Sequence, residues 1–157
     1  MKTNEKKLRL MEVTALFCDH AEATPDGRLN IRGVFNELYA PAFPARQDRM
    51  VFVGQVIWDR EDHGRIPFRI DLKDPGDSPI FTIDGHSDVE ARSEGRAPAK
   101  TQLVLPLEKV IFADPGEYRV YAEFGGREFS GPSLYLLRSP DAARVAGVVG
   151  LPANGAL

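Results

Sequence analysis

The sequence predicts an all-β fold built from packed sheets, and three observations lead to this class. Apolar and polar side chains alternate in short stretches, such as Leu29 and Ile31 with Asn30 between them after the turn at 25–27. This period of two places one face of a strand in a core and the other face in water. Turn-forming prolines, glycines and aspartates separate the stretches, and no stretch before Ser139 repeats with the spacing of a helix. About eight short strands separated in this way are typical of an antiparallel β-sandwich.

Each predicted strand follows from its own pattern. The predicted strands are 10–22, 28–39, 50–58, 65–73, 80–86, 101–112, 118–124 and a last one that carries Phe129 and Leu134 to Leu137. The strand at 50–58 is apolar on both faces, which favours the centre of a sheet. Pro67 lies on the outward row of the strand at 65–73, and because proline lacks an N–H donor this strand is predicted at a sheet edge. Gly33 falls in the inward row of the second strand, where it leaves space for a bulky neighbour or marks a bulge.

Length and composition set the general class of the protein. The 157 residues fit one domain, with a flexible lead-in at 1–9, a sandwich at 10–138 and an apolar tail at 139–157. The net charge is −3 without a long basic stripe, so nucleic acid is not expected as a partner. Cys18 is the only cysteine, which excludes an internal disulfide and suits a reducing compartment. No segment has the length of a membrane span or the apolar core of a signal peptide, so we expect a cytoplasmic protein without a membrane partner.

A short motif near the end of the predicted sandwich concerns the type of fold. Asp114, Gly116 and Tyr118 have the spacing of a turn that leads into a strand. The motif resembles the tyrosine corner of immunoglobulin-like sandwiches, in which a tyrosine near the start of a strand bonds to the backbone upstream. The resemblance implies an antiparallel immunoglobulin-like β-sandwich in which these three residues have a structural role. Gly33 is also expected to be structural, because of its place in the inward row of the second strand.

Four further motifs carry a second resemblance. They are Leu16-Phe17-Cys18-Asp19-His20-Ala21, Asp26-Gly27-Arg28-Leu29-Asn30-Ile31, Gly33-Val34-Phe35 and Pro41-x-Phe43-Pro44. Together they resemble a family of small bacterial proteins known only as a domain of unknown function and thought to be β-sandwiches. The resemblance covers roughly Met11 to Leu137 and implies a fold and a bacterial source. It assigns no catalytic residues.

The neighbours Cys18, Asp19 and His20 do not have the geometry of a catalytic group. Residues two apart on one strand share a face at a distance of about 6.5–7 Å, whereas a nucleophile and its base must approach to about 3 Å. Asp19 faces the opposite way and cannot orient His20. We therefore expect a packed thiol beside a half-exposed histidine and predict no catalytic residue.

A shared end of the sandwich is the candidate for metal binding. If successive strands are antiparallel, alternate connections lie at the same end, and all three histidines fall there. The candidate metal ligands are His20, Asp59, Asp62, His63, Asp84 and His86. Imidazoles with carboxylates can hold a divalent ion or act as acid and base. Against this, aspartate is common in turns for conformational reasons, and no two histidines have the close spacing of a known metal motif.

The remaining candidates concern contact with a partner. Phe43, between two prolines, is either an anchor for a partner or a lid on the open end of the core. The other partner candidates are Arg65, Pro67 and Arg69 on the expected edge strand, and Val148, Val149 and Leu151 in the tail. The favoured function is a non-catalytic interaction module or assembly subunit without a cofactor, which binds another protein or a second copy of itself. The alternative is a metal-binding sandwich with a hydrolytic or small-ligand site at the histidine end.

Overall fold

A computed structural model describes residues 11–139 and confirms the all-β class. The strands are β1 (Glu12–Ala23), β2 (Leu29–Phe35), β3 (Glu37–Ala40), β4 (Ala45–Ile57), β5 (Gly64–Lys73), β6 (Pro79–Val89), β7 (Lys100–Phe112), β8 (Gly116–Phe124) and β9 (Arg127–Arg138). The described part of the chain contains no helix, and so none that is long and apolar enough to cross a membrane.

The nine strands form two sheets, and this corrects the expectation of about eight antiparallel strands. One sheet has the order β2-β1-β4-β7 and the other the order β3-β9-β8-β5-β6. The predicted second strand divides at Asn36, where the chain leaves the four-stranded sheet and enters the five-stranded one. There β3 runs parallel to β9, with Glu37 opposite Tyr135, and the Asn36 carbonyl accepts a hydrogen bond of 2.8 Å from the Tyr135 N–H. Phe35 before the division and Leu38 after it both pack against the main core, so the inward row shifts by one residue at Asn36.

The core lies between the two sheets and is rich in aromatic rings. Trp58, at the end of β4, meets Phe124 of β8 edge to face with ring centres 6.1 Å apart. At the other end of the sheets Phe112 of β7 meets Tyr118 of β8 at 5.1 Å. All four side chains are buried, and each large apolar side chain removed from water contributes about 1.5–3 kcal/mol to stability. These contacts join the sheets along their whole length.

The order of the strands bears out one expected position and corrects another. β4 lies between β1 and β7, as its two apolar faces predict. The strand predicted at an edge, β5, lies between β8 and β6, so that prediction is wrong. Pro67 is tolerated there because the ladder with β8 begins only at Phe68, and the Pro67 carbonyl accepts a hydrogen bond of 2.8 Å from the Gly125 N–H. A proline at the end of a ladder removes no donor that the ladder needs.

The tip of the β1–β2 hairpin folds over the outer face of its own sheet. A second cluster forms there from the buried side chains of Cys18, Val51 and Val53, against which pack the partly buried side chains of Leu16, Ala21, Leu29, Ile31 and Val104. The Gly27 carbonyl in the hairpin turn accepts a hydrogen bond of 2.9 Å from the Gln102 side chain on β7 and one of 3.5 Å from Lys100. Because β4 separates β1 from β7, the tip must cross β4 to reach them. The outer face of the four-stranded sheet is therefore partly covered by the chain itself.

Gly33 lies at the place where this hairpin changes direction. Its φ of 71° is in the left-handed region, and the Asp19 carboxylate lies where a Cβ would be. Phe17 packs into the main core, whereas Ala21, also at an odd position, packs into the second cluster. The strand thus rotates between these residues. Glycine allows both the backbone angle and the close approach of Asp19.

Candidate functional site

The turn after β4 contains three of the six predicted metal ligands, and each already has a partner. The Asp62 carboxylate accepts a hydrogen bond of 3.1 Å from the Asp59 N–H and an ion-pair bond of 3.1 Å from Arg127. His63 Nδ1 lies 3.0 Å from the Glu61 carbonyl. These contacts fix the turn against the β8–β9 hairpin.

The other three predicted metal ligands lie elsewhere. His20 is on β1 opposite Arg32, whereas Asp84 and His86 are on β6, opposite Arg69 and Pro67 respectively. Within residues 11–139 no group of three or more His, Cys, Asp and Glu side chains is placed to hold a metal ion. The structure does not bring the six residues together into the site expected at the histidine end.

Cys18 is buried and does not have the environment of a nucleophile. Its side chain is fully enclosed, and Sγ lies 3.5 Å from the His20 carbonyl, to which the thiol donates. Burial raises the pKa of the Cys18 thiol, and the nearby Asp19 carboxylate acts in the same direction. A protonated thiol is a poor nucleophile, so this residue packs, as the sequence predicts.

Phe43 is placed at an end of the core. It is partly buried against the main core cluster, and the Arg138 guanidinium lies 5.6 Å from the centre of its ring. The Phe43 ring therefore contacts both the core and Arg138. The tail candidates Val148, Val149 and Leu151 lie outside the described residues.

The partner candidates on β5 belong to a sheet interior instead of an edge. Arg65 and Arg69 point to the outer face of the five-stranded sheet, and Pro67 shares their row. The Arg65 Nε lies 3.7 Å from Asp88 and the Arg69 Nε lies 3.5 Å from Asp71. β8 pairs with β5 only from Phe68 onward, so Arg69 lies between two partner strands, whereas Arg65 and Pro67 belong to the ladder with β6 alone.

Tyr118 and Asp114 are joined by a partly buried hydrogen bond. The Tyr118 hydroxyl donates to the Asp114 carbonyl at 2.7 Å, and its ring is fully buried. Burial raises the pKa of Tyr118. Gly116 has a φ of 136°, and a Cβ there would lie 2.8 Å from the Pro75 ring. A glycine is thus required between the turn and the buried tyrosine.

The outer face of the five-stranded sheet carries a groove of about 670 Å³, which we call the sheet groove. Its polar lining is Arg69, Asp71, Lys73, Tyr121, Glu123, Glu128 and Ser130. The strand register builds it in rows. Asp71 is opposite Thr82 on one side and Tyr121 on the other, and Tyr121 is opposite Ser130. Three strand spacings of about 4.8 Å make this row about 14 Å long.

Hydrogen bonds and charges hold this row in place. The Thr82 hydroxyl donates to Asp71 at 2.5 Å, and only 15% of the Asp71 side chain is exposed. The Lys73 Nζ lies 4.6 Å from the centre of the Tyr121 ring, a cation–π distance. The Tyr121 hydroxyl, followed by Glu117, raises the pKa of Arg119. Lys73 and Arg119, which lie opposite each other on β5 and β8, therefore both interact with Tyr121.

The next row of the sheet groove is charged. Arg69 is opposite Asp84 on one side and Glu123 on the other, and Glu123 is opposite Glu128. Two like charges directly opposite each other on neighbouring strands are unfavourable. Sequence reasoning missed the groove, because alternation identifies Arg69 and Tyr121 as outward but does not show that their strands are neighbours.

The fold and the groove define a small all-β domain of two packed sheets with a polar surface site. The family described as "Family of unknown function (DUF6941)" matches residues 13–136, and the chain belongs to this family. No curated protein matches the sequence. Among solved structures the chain is similar to the Pseudomonas fluorescens alkylpurine DNA glycosylase AlkC bound to DNA containing an abasic site analog, at 15% identity and a TM-score of 0.32. The similarity covers 82% of this chain and 31% of that one.

These comparisons correct the expected partners. The sequence predicts another protein or a second copy as the partner and excludes nucleic acid. The similar structure is that of a DNA-bound protein, and no comparison shows a protein partner. Both the protein partner and the exclusion of nucleic acid are therefore withdrawn. A TM-score of 0.32 brings no ligand from that protein to this chain.

Proposed function

We propose that this chain is a non-catalytic binding module and that the sheet groove holds a neutral polyhydroxylated ligand such as an oligosaccharide. The observation that carries the proposal is the row of Thr82, Asp71, Tyr121 and Ser130 across four neighbouring strands. Such a row offers hydroxyl and carboxylate groups at a regular spacing of about 4.8 Å. A chain of hydroxyl-bearing rings can meet several of these groups at once.

The chemistry of the groove favours a neutral ligand over an ion. Its two cations, Arg69 and Lys73, lie among three carboxylates, those of Asp71, Glu123 and Glu128. Arginine and lysine donate hydrogen bonds and carboxylates accept them, so hydroxyl groups, which do both, match either kind of neighbour. A strongly charged ligand would instead be repelled by part of the lining.

The location of the groove also supports a binding function. The tip of the β1–β2 hairpin lies over the other sheet, so the five-stranded sheet has the more open face. The groove residues belong to β5, β8 and β9, which are paired strands and not loops. Side chains on paired strands are held more precisely than side chains on loops. A surface of this kind can bind without rearrangement.

The absence of catalysis is part of the proposal and has a physical basis. The buried, protonated thiol of Cys18 is a poor nucleophile. His20 lies on the four-stranded sheet, and His63 in the turn that precedes β5. Neither histidine lines the groove. A ligand in the groove would therefore meet hydrogen-bonding groups without an imidazole base.

A titration followed by nuclear magnetic resonance tests the proposed ligand class. Maltotriose, cellotriose and chitotriose are added separately to the ¹⁵N-labelled full chain, and backbone amide shifts are recorded. We expect one of these sugars to shift amides of β5, β8 and β9 around Tyr121. Tyr121→Ala should weaken that sugar's binding about tenfold. Tyr135→Ala, on the same sheet face but outside the groove, should leave it unchanged.

Two results would reject the proposal. One is the lack of any shift with all three sugars, and the other is equal binding by Tyr121→Ala and wild type. If Tyr121→Ala loses the amide dispersion of a folded chain, Ser130→Ala replaces it, since this smaller change removes one hydroxyl from the same row.

We further propose that the two sheets are an immunoglobulin-like sandwich and that the Tyr118–Asp114 contact is its tyrosine corner. The 2.7 Å hydrogen bond from a buried tyrosine to a carbonyl four residues upstream supports this assignment. The expected setting is the cytoplasm of a bacterium. A single, unpaired cysteine supports that compartment.

A further inference from the structure

A second groove, which we call the loop groove, lies at one end of the two sheets. It has a volume of about 420 Å³ and forms where the chain crosses from β6 to β7. Its charged lining is Arg65, Asp88, Glu90, Arg92 and Lys100. None of these residues lines the sheet groove. The loop groove is therefore a separate place with separate chemistry.

The cations of the loop groove outnumber its carboxylates and are incompletely paired. Arg65 lies 3.7 Å from Asp88 across the β5–β6 ladder. Within residues 11–139, Arg92 and Lys100 have no carboxylate within 4.0 Å. Lys100 has a single long contact of 3.5 Å to the Gly27 carbonyl. Arg92 and Lys100 are thus the cations of the groove that lack an ion pair within residues 11–139, and Glu90 is its carboxylate that lacks one.

Arg92 also carries an unsatisfied donor. Among the buried side-chain nitrogen and oxygen atoms of residues 11–139, its Nε is the one without a hydrogen-bond partner. The rest of the guanidinium is held by one long contact, 3.4 Å from Nη1 to the Ala97 carbonyl. A buried donor without an acceptor is unfavourable. Turning the guanidinium edge toward the groove breaks only this weak contact.

We propose that the loop groove binds a phosphoryl oxyanion. The Nε and one terminal nitrogen of Arg92 would bind two of its oxygens as a fork, which is the geometry in which guanidinium meets phosphate. Lys100 supplies a compact positive charge for a third oxygen. Such a ligand would give the Nε–H its acceptor and neutralise both free cations. Inorganic phosphate and the phosphate groups of larger molecules share this chemistry.

The test uses the full chain and inorganic phosphate, with sodium chloride at equal ionic strength as the reference. We expect phosphate, but not chloride, to shift the side-chain Nε–Hε signal of Arg92 and the amide of Lys100. Arg92→Gln should weaken phosphate binding by about tenfold or more, since a charge-assisted hydrogen bond pair is lost. Arg96→Gln is the matched control, because it removes the same charge from the same loop outside the groove.

Two further arms identify the source of the phosphate. Thymidine monophosphate presents a monoester, and a thymidine dinucleotide presents the diester of a nucleic acid backbone. A shift of the Arg92 signal with either compound supports the site. The compound that binds more tightly indicates whether the natural ligand presents a phosphate monoester or a phosphate diester. Identical effects of phosphate and chloride overturn the proposal, as does unchanged phosphate binding by Arg92→Gln. If Arg92→Gln does not fold, the comparison of phosphate with chloride at the wild-type Arg92 signal still tests the proposal.

Discussion

Gly54 and Gly131 line the same small cavity between the sheets, yet a side chain would meet different surroundings at each. The cavity has a volume of about 60 Å³. A Cβ at Gly54 would lie 3.4 Å from the Phe52 ring, an ordinary contact, whereas one at Gly131 would lie 2.9 Å from Val120. Gly54→Ala should therefore stabilise the chain by about 0.4–1 kcal/mol, because it restricts the unfolded state without strain.

Gly131→Ala is the same substitution at a position where the opposite effect on stability is expected. It should destabilise the chain, since Val120 is buried and cannot move away easily. Urea unfolding of the two variants and of wild type measures both effects. A lower midpoint for Gly54→Ala than for wild type would show that the cavity is not available to a methyl group.

Glu117 provides a prediction about pH. The Ser133 hydroxyl donates to its carboxylate at 2.5 Å, and this hydrogen bond, together with Arg119, holds the pKa of Glu117 below its ordinary value of 4.5. The stability that the folded chain gains from this lowered pKa is complete at pH values above the ordinary pKa of Glu117. It is lost as the pH falls through the lower pKa that Glu117 has in the folded chain. A carboxyl ¹³C titration should show the lowered pKa directly.

Ser133→Ala removes the main cause of that shift. The pKa of Glu117 should rise toward its ordinary value, while Arg119 continues to lower it slightly. Ser130→Ala, on the same strand without a contact to Glu117, should leave the titration unchanged. An unaltered Glu117 titration in Ser133→Ala would mean that the hydroxyl does not bind this carboxylate in solution.

Single residues could be read from the sequence where local chemistry decides their role. The spacing of Asp114 and Tyr118 within one turn predicts a hydrogen bond that needs no knowledge of other strands. Cys18 is predicted as a packed thiol because residues two apart on one strand lie too far apart for a thiol and its base. The metal candidates could not be settled in this way. Asp62 binds Arg127, which is distant in sequence, and only the fold reveals such a partner.

At the scale of elements, the β1–β2 hairpin is a cover held by few polar contacts. Gln102 donates to the Gly27 carbonyl at 2.9 Å, and Cys18, on β1 of the same hairpin, is fully buried in the second cluster. Gln102→Ala should remove about 1 kcal/mol from the free energy of opening and so increase the rate of Cys18 alkylation about fivefold. The raised pKa of the thiol keeps the wild-type rate low.

Iodoacetamide labelling of the native chain, followed by mass spectrometry, measures that rate. Gln47→Ala is the control, because this glutamine lies on β4 and bonds to the nearby Arg49 carbonyl instead of the hairpin. Equal labelling of Gln102→Ala and wild type would indicate that Cys18 becomes accessible by another opening. Labelling in urea should be fast for all three proteins.

Strands were predicted well because alternation is local, but their neighbours were not. Pro67 favours an edge when only its missing donor is considered, whereas the ladder that would need this donor begins one residue later. The division at Asn36 was missed because Phe35 and Tyr39 keep the spacing of a single strand, whereas in the structure Leu38 and not Tyr39 packs against the main core. The sheet groove was missed as well. Its rows depend on which strands pair and in which register.

At the scale of the whole molecule, a group of side chains around Trp58 ties the two sheets together at one end. The indole N–H donates to the Thr101 hydroxyl at 2.8 Å, and Thr101 lies 2.6 Å from the Ser87 hydroxyl of the other sheet. The Arg127 guanidinium lies 6.0 Å from the centre of the indole and binds Asp62. Together these contacts join the two sheets to each other and to the turn between β4 and β5.

Trp58→Phe should lower the free energy of unfolding by about 2 kcal/mol, since it removes the N–H donor and leaves a void in a packed site. Because the Arg127 guanidinium lies over the same ring, Arg127→Met should couple to Trp58→Phe by at least about 0.5 kcal/mol in a double-mutant cycle.

A second cycle, in which Tyr118→Phe replaces Arg127→Met, is the control. Tyr118 lies six residues from Phe124 along β8, which places it about 20 Å from the Trp58 end. Its effect should add to that of Trp58→Phe within about 0.3–0.5 kcal/mol. Urea unfolding of these variants gives both cycles, and coupling of equal size at the two ends would contradict a network confined to the Trp58 end.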